Sequence, residues 1–134
     1  MFTFEQTKQI QSEMMISPPR RIGDFYYTSE GELYVVGKIP KLDTPVYRQV
    51  CGDMWIFRGI DMMYVPSPIE VLGWLNKQVV GEYNVGTVFF NDNVVVSYGV
   101  EEGYTEHEYA GETFEDAIFS ALLNRSEVID TTKS

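Results

Sequence analysis

The sequence predicts an α+β fold: a mostly antiparallel β-sheet with helices packed on it, the C-terminal half arranged like an αβα sandwich. Three observations lead there. Three segments place a hydroxyl residue three positions before an acid or amide, the mark of a capped helix start: Thr3 to Gln6, Ser67 to Glu70 and Thr113 to Asp116. Runs rich in Val, Tyr and Phe, bounded by turn residues, fill most of the chain between them. The last three runs follow one another through short links, as a meander does.

In chain order, the first helix starts at the Thr3 cap and turns Phe4, Ile10 and Met14 inward. Pro18 and Pro19 end it, because proline cannot donate to the preceding turn. Strands are expected over 24–27, 32–39 and 46–51, with 53–58 and 62–65 as further candidates joined by Gly59. Added to the meander, they make one sheet of six to eight strands. The second helix is expected over 68–78, where Pro68 sits at a position that needs no N–H partner. Val71, Leu72, Leu75 and Val79 form its apolar stripe, with Trp74 beside it. Gly73 costs this helix about 1 kcal/mol against Ala, which points to close approach of its backbone to a strand. The meander covers 83–90, 94–101 and 104–110, its first turn made by Asn91, Asp92 and Asn93. Its apolar residues fall on both faces, so cover is expected on both, from the flanking helices or from another copy. The third helix buries Phe114, Ala117, Ile118, Ala121 and Leu122, with Glu115 and Asp116 where the helix dipole favours acids.

At 134 residues there is room for one domain, 1–134. It divides into a helix and β-rich half (1–63), an α-βββ-α unit (64–129) and a polar tail (130–134). With 44% hydrophobic and 14% aromatic residues, the chain is globular and not an acidic disordered tail. No apolar run approaches the roughly 18 residues of a membrane span, and the opening residues lack the basic and long apolar regions of a secretory leader. One cysteine, Cys51, forms no internal disulfide and suits a reducing compartment. The expectation is a soluble, cytoplasmic protein without a membrane partner. The net charge of -10 is uneven: residues 1–65 hold eight acids and seven Lys/Arg, residues 66–134 twelve acids and three Lys/Arg. The acidic half repels phosphates, which excludes direct nucleic-acid binding through it, and attracts a basic partner.

The census of reactive residues argues against catalysis. His107, the single histidine, lies between Glu106 and Glu108 on a strand, and both acids point to the opposite face from its ring. It is expected to be exposed, with no acid to orient it for a hydrolase triad. Cys51 has no cationic neighbour in its stretch and is expected to be a buried structural thiol. One His and one Cys exclude the usual zinc sets, and the acids lack calcium-loop spacing. Phosphate-loop and dinucleotide motifs are absent. The sequence is therefore read as non-enzymatic, without metal or cofactor. Two residue sets remain. Glu101, Glu102, Glu106, Glu108 and Glu112 form a candidate partner-binding surface. Arg20, Arg21, Arg48 and Arg58, with Tyr47 and Trp55, form an alternative ligand site, since arginines beside aromatic faces hold anionic, ring-bearing ligands such as nucleotides.

Residues 64–125 carry a Pro66–Ser67 helix start, Trp74, the Val-rich meander and a Thr113-to-Leu122 helix with Ala117–Ile118 and Ala121–Leu122 pairs. This order resembles the small αβα-sandwich proteins encoded by bacteriophages and prophages. The resemblance implies a phage or mobile-element accessory protein in the host cytoplasm, with no established catalytic residues. The expected function is inhibition of a host defence system, the acidic surface occupying a basic, nucleic-acid-binding groove of a host protein. The alternatives are sequestration of a nucleotide through the arginine and aromatic set, and a ligand-free structural oligomerising domain. The apolar sheet and exposed aromatics predict a homodimer or other closed assembly.

Overall fold

Hydroxyl caps start all three helices where the sequence places them. The computed structural model describes residues 1–16, 18–39, 44–56, 61–79, 81–89, 92–99, 105–126 and 128, leaving aside the side chains of 105 and 106. Helix α1 (Phe4–Met14) begins with a reciprocal capping box between Thr3 and Gln6, and α2 (Pro68–Asn76) with one between Ser67 and Glu70. Helix α3 (Phe114–Leu123) is capped by Thr113, whose hydroxyl accepts from the Asp116 N–H at 3.1 Å. The α+β class holds: among the described residues there are three helices and eight strands, all paired antiparallel. The strands form two sheets, not the single extended sheet expected. The chain correspondingly divides into two compact units, Thr3–Pro66 and Met1–Phe2 with Ser67–Ser134.

The N-terminal unit contains β1 (Phe25–Tyr27), β2 (Leu33–Gly37), β3 (Val46–Gln49), β4 (Trp55–Ile56) and β5 (Met63–Tyr64), ordered β4-β3-β2-β1-β5. Strand β5 returns to pair with β1 and forms one edge of this sheet. Gly31, at φ +88°, makes the turn between β1 and β2, and a side chain there would press on the Phe4 ring. Helix α1 stops before the prolines. Met15 takes a left-handed conformation (φ 50°) and its N–H bonds the Gln11 carbonyl. The Gln11 side chain completes that end, accepting from the Ile16 N–H (2.9 Å) and donating to the Tyr64 carbonyl of β5 (2.8 Å). One core cluster, Tyr26, Tyr34, Val36, Tyr47 and Tyr64, lies on one sheet face; Tyr27 and Val46 are buried on the other, where Phe4 of α1 packs on Tyr27 at 5.5 Å.

In the C-terminal unit β6 (Glu82–Val88), β7 (Asn93–Gly99) and β8 (Thr105–Gly111) pair in sequence order. Opposed residues share a face, and the register puts Tyr83, Val96, Tyr98 and Tyr109 on one of them. All four are buried. Helix α3 packs on β8 and β7, and α2 packs on β6 and on α3, so both helices lie over this face. The layers are therefore helices on sheet rather than a helix on each side. The expectation of cover on both faces came from the valines of the first hairpin; on the uncovered face Val88 is exposed and Val95 half-buried, and Val85 is exposed although its pairing with Val96 puts it on the helix-covered side. Val71 and Leu75 of α2 and Ala117, Ile118, Ala121 and Leu122 of α3 are fully buried, while Leu72, Val79 and Phe114 are half-buried. Phe2 is buried in the same unit, and the Met1 ammonium meets the Glu115 carboxylate at 3.0 Å. That hydrogen bond holds the Glu115 pKa below its ordinary value.

Gly73 corrects a second expectation: a side chain added there meets nothing within 4 Å, and the residue faces solvent. The penalty of glycine in α2 is thus uncompensated by any close approach, and Gly73→Ala should stabilise the protein by about 1 kcal/mol. Leu75→Ala and Ile118→Ala should each destabilise it by about 2–5 kcal/mol through the cavity left behind. Urea unfolding measures all three, and an unchanged midpoint for both core variants would contradict the packing described.

Candidate functional site

Arg20 and Tyr47 are the pair from the arginine and aromatic set that the fold brings onto its buried tyrosine face. The Arg20 guanidinium lies 5.4 Å from the Tyr47 ring centre and 5.8 Å from that of Tyr26. The two rings meet edge to face at 5.7 Å, and Tyr26 also packs against Tyr64 at 5.6 Å. Burial raises the pKa of Tyr47 and of Tyr26, opposed in both by the neighbouring Arg20 charge. The Tyr47 hydroxyl has no hydrogen-bond partner among the described residues.

Arg21 reaches the same face through the Tyr64 hydroxyl, while Arg48 and Trp55 lie on the other. Arg21 is held by Asp24, Nε to Oδ2 at 3.2 Å, and its Nη2 donates to the Tyr64 hydroxyl at 3.5 Å. Asp24, first by its hydrogen bond and then by its charge, raises the Arg21 pKa. Arg48 stacks over Trp55 at 5.8 Å, both exposed, but on the sheet face opposite Tyr47. Neighbouring residues of one strand point to opposite sides, so Tyr47 and Arg48 cannot line one pocket. That signal is already present in their adjacency. Arg58 lies outside the described residues. Among the described residues, the other five do not converge on a single anion site.

The acidic set is only partly described. Glu101 and Glu102 lie outside the described residues, as does the Glu106 side chain. Glu112 is exposed just before the Thr113 cap. Glu108 is exposed on the uncovered face of the three-stranded sheet. Across that face run the rows Asn84–Ser97–Glu108 and Gly86–Val95–Ala110, with Glu82 opposite Gly99 in the next row. Sequence reasoning overlooked Glu82; counting two residues back from Asn84 along the strand places it with Glu108. No Lys or Arg occurs in any of the three strands. Arg125, a cation of this unit, is turned elsewhere, 5.8 Å from the Trp74 ring and donating to the Leu122 carbonyl at 2.9 Å.

Two reactive residues sit otherwise than expected. Cys51 is exposed in the turn between β3 and β4, not buried. His107 is half-buried on the helix-covered face, near Tyr98 (6.3 Å) and stacked on Tyr109 (6.5 Å, 9° between planes). Its register opposite Tyr98 puts it there, between two aromatic neighbours. Among the described residues no group of three or more His, Cys, Asp or Glu side chains converges as metal ligands. No helix among them is long and apolar enough to cross a membrane.

The buried tyrosines set an alkaline limit on stability. Tyr83, 1% exposed against Tyr98 at 5.3 Å, has its pKa raised mainly by burial, and its hydroxyl has no partner among the described residues. A tyrosine whose folded-state pKa exceeds its unfolded value of about 10 holds its proton more tightly when folded. Its contribution is intact below that pH and is lost as pH rises above it. Urea midpoints should therefore fall above pH about 10, and Tyr83→Phe should make that fall shallower without lowering stability at neutral pH, since it removes an unpaired buried hydroxyl. Comparison of the chain with protein-family profiles, curated proteins and solved structures finds no match.

Proposed function

We propose that the protein acts by binding, its C-terminal unit engaging a Lys/Arg-rich surface of another protein through the uncovered face of the three-stranded sheet. One observation carries this reading. The helices cover one face, the charged residues of the three strands, Glu82, Glu106 and Glu108, are all acidic, and Glu82 and Glu108 lie on the other face. Around them the half-chain from residue 66 onward holds twelve acids against three basic residues. Such a field attracts a basic surface from beyond contact range and speeds its encounter, while repelling nucleic acid. A protein that normally holds nucleic acid in a basic groove presents the matching charge. In the setting implied by the resemblance to phage and prophage proteins, that partner is a host defence factor, and occupation of its groove inhibits it without chemistry on either side. The placement of Arg48 and Trp55 on the sheet face opposite Arg20 and Tyr47 weighs against the nucleotide-sequestering alternative.

The test separates the face from overall charge. Binding to an arginine-rich peptide is measured by calorimetry at low and physiological salt for the protein, for Glu82→Lys/Glu108→Lys, and for Glu30→Lys/Asp53→Lys. The last pair is exposed in the N-terminal unit and changes net charge equally. The first double variant should lose most of the binding and the second should retain it, with affinity falling as salt rises. Equal losses would show that only net charge is sensed and would remove the face from the proposal.

A further inference from the structure

The two edges of the C-terminal sheet are built differently. Strand β8 carries Glu106 and Glu108, and its ladder with β7 is broken by a register shift at Tyr98/Gly99. Charges and bulges are devices that stop an edge from pairing with another chain. Strand β6 lacks them: its register is unbroken over seven residues, it has no proline or lysine, and its single charge, Glu82, stands at its first position. Every β6 residue except Tyr83 is exposed. Val85 and Val88 are 40% and 38% exposed, and Phe89 just beyond them is 91% exposed.

Asn76 reveals which backbone groups face that edge. The Tyr83 N–H donates to Asn76 Oδ1 at 2.7 Å, away from β7. In an antiparallel strand alternate residues turn both N–H and C=O to the same side. Val85 and Thr87 therefore aim theirs at the edge, while Asn84, Gly86 and Val88 face β7. Among the described strands none pairs with that side of β6.

We propose that this edge pairs with the same edge of a second copy of the chain, antiparallel about Gly86. Val85 of each copy then lies opposite Thr87 of the other, and the two pairs exchange four N–H to O=C bonds. The Asn76–Tyr83 bond stays intact in both. Opposed residues must share a face, and Val85 and Thr87 do. Gly86 puts no side chain at the two-fold axis, and each Val88 falls beside an Asn84. The two Glu82 residues end eight positions apart, roughly 27 Å at about 3.4 Å per residue, well beyond a screening length of about 8 Å. A copy of the chain is thus an occupant whose hydrogen-bond pattern fits the edge and whose Glu82 stays clear of its mate.

Sedimentation equilibrium of the full chain tests this. The expected result is a reversible dimer that tightens as salt rises, because each copy carries a net charge of -10. That sign is opposite to the peptide binding above, so the two readings fail separately. Thr87→Pro removes an edge-facing N–H from each copy without touching the β7 ladder. Losing two of the four bonds should weaken dimerisation by at least about tenfold, with circular dichroism unchanged. Should that variant fail to fold, Val85→Lys sets a charge on the edge and should weaken the dimer likewise. A monomer at every concentration, or a dimer indifferent to whichever of these variants folds, overturns the proposal.

Discussion

Tyrosine burial on one face of each sheet is the constraint from which the rest of the structure follows. In the N-terminal unit that face is Tyr26, Tyr34, Tyr47 and Tyr64 around Val36, with Tyr27 and Val46 buried on the opposite face as well; in the C-terminal unit it is Tyr83, Tyr98 and Tyr109 around Val96. A buried aromatic ring removes a large apolar area from water and packs with its neighbours at preferred angles. Because side chains alternate, fixing one face fixes the other. Arg48 and Trp55 are thereby set on the outer side of one sheet, and Glu82, Asn84, Ser97 and Glu108 on the outer side of the other. In the C-terminal unit the polar surface that remains for function is the complement of the tyrosine row.

Tyrosine as a core residue brings a hydroxyl that must be placed. Tyr34 donates to Glu32 (3.4 Å), Tyr109 to the Asn124 carbonyl (3.5 Å), and the Tyr64 hydroxyl accepts from Arg21 (3.5 Å). Tyr47 and Tyr83 have no such bond among the described residues. For Tyr47, part of the deficit is met by the Arg20 cation over its ring, an attraction worth about 0.5–2 kcal/mol depending on desolvation. Arg20 thus reads as a structural lid on the tyrosine face. A charged residue beside aromatic rings in sequence is no evidence for a ligand until the strand parity of those rings is known.

Helix starts were legible because each is a local contract between two side chains three residues apart. The burial of Val71, Leu75, Ile118 and Leu122 was legible because a helical stripe has a single inward direction. What escaped depends on partners distant in the chain. The end of α1 is set by Gln11, which reaches 53 residues ahead to the Tyr64 carbonyl, so the prolines that look like the stop are not it. The pairing of β5 with β1 is a choice that the apolar content of 63–64 does not encode. The acidic site was half legible: Glu108 follows from parity, whereas Glu82 joins it only through the β6–β7–β8 register. The expectation for Cys51 failed because turn position, not residue preference, decides the exposure of a residue between β3 and β4.

Face and edge are separate surfaces of one sheet, and the proposed pairing couples them. A two-fold axis at Gly86 perpendicular to the sheet preserves its two sides. The helices of both copies then lie on one side and both acidic faces on the other, across six continuous strands. Glu82 and Glu108 of the two copies become a single surface of doubled charge. For a partner with an extended basic groove, the second face engages as an intramolecular step, which raises affinity without any new type of contact. Mutual repulsion between the copies loosens the pair at low salt, and a bound basic partner neutralises it. Partner binding and self-pairing are then linked with positive sign, since any ligand that prefers the dimer must by mass action favour its formation.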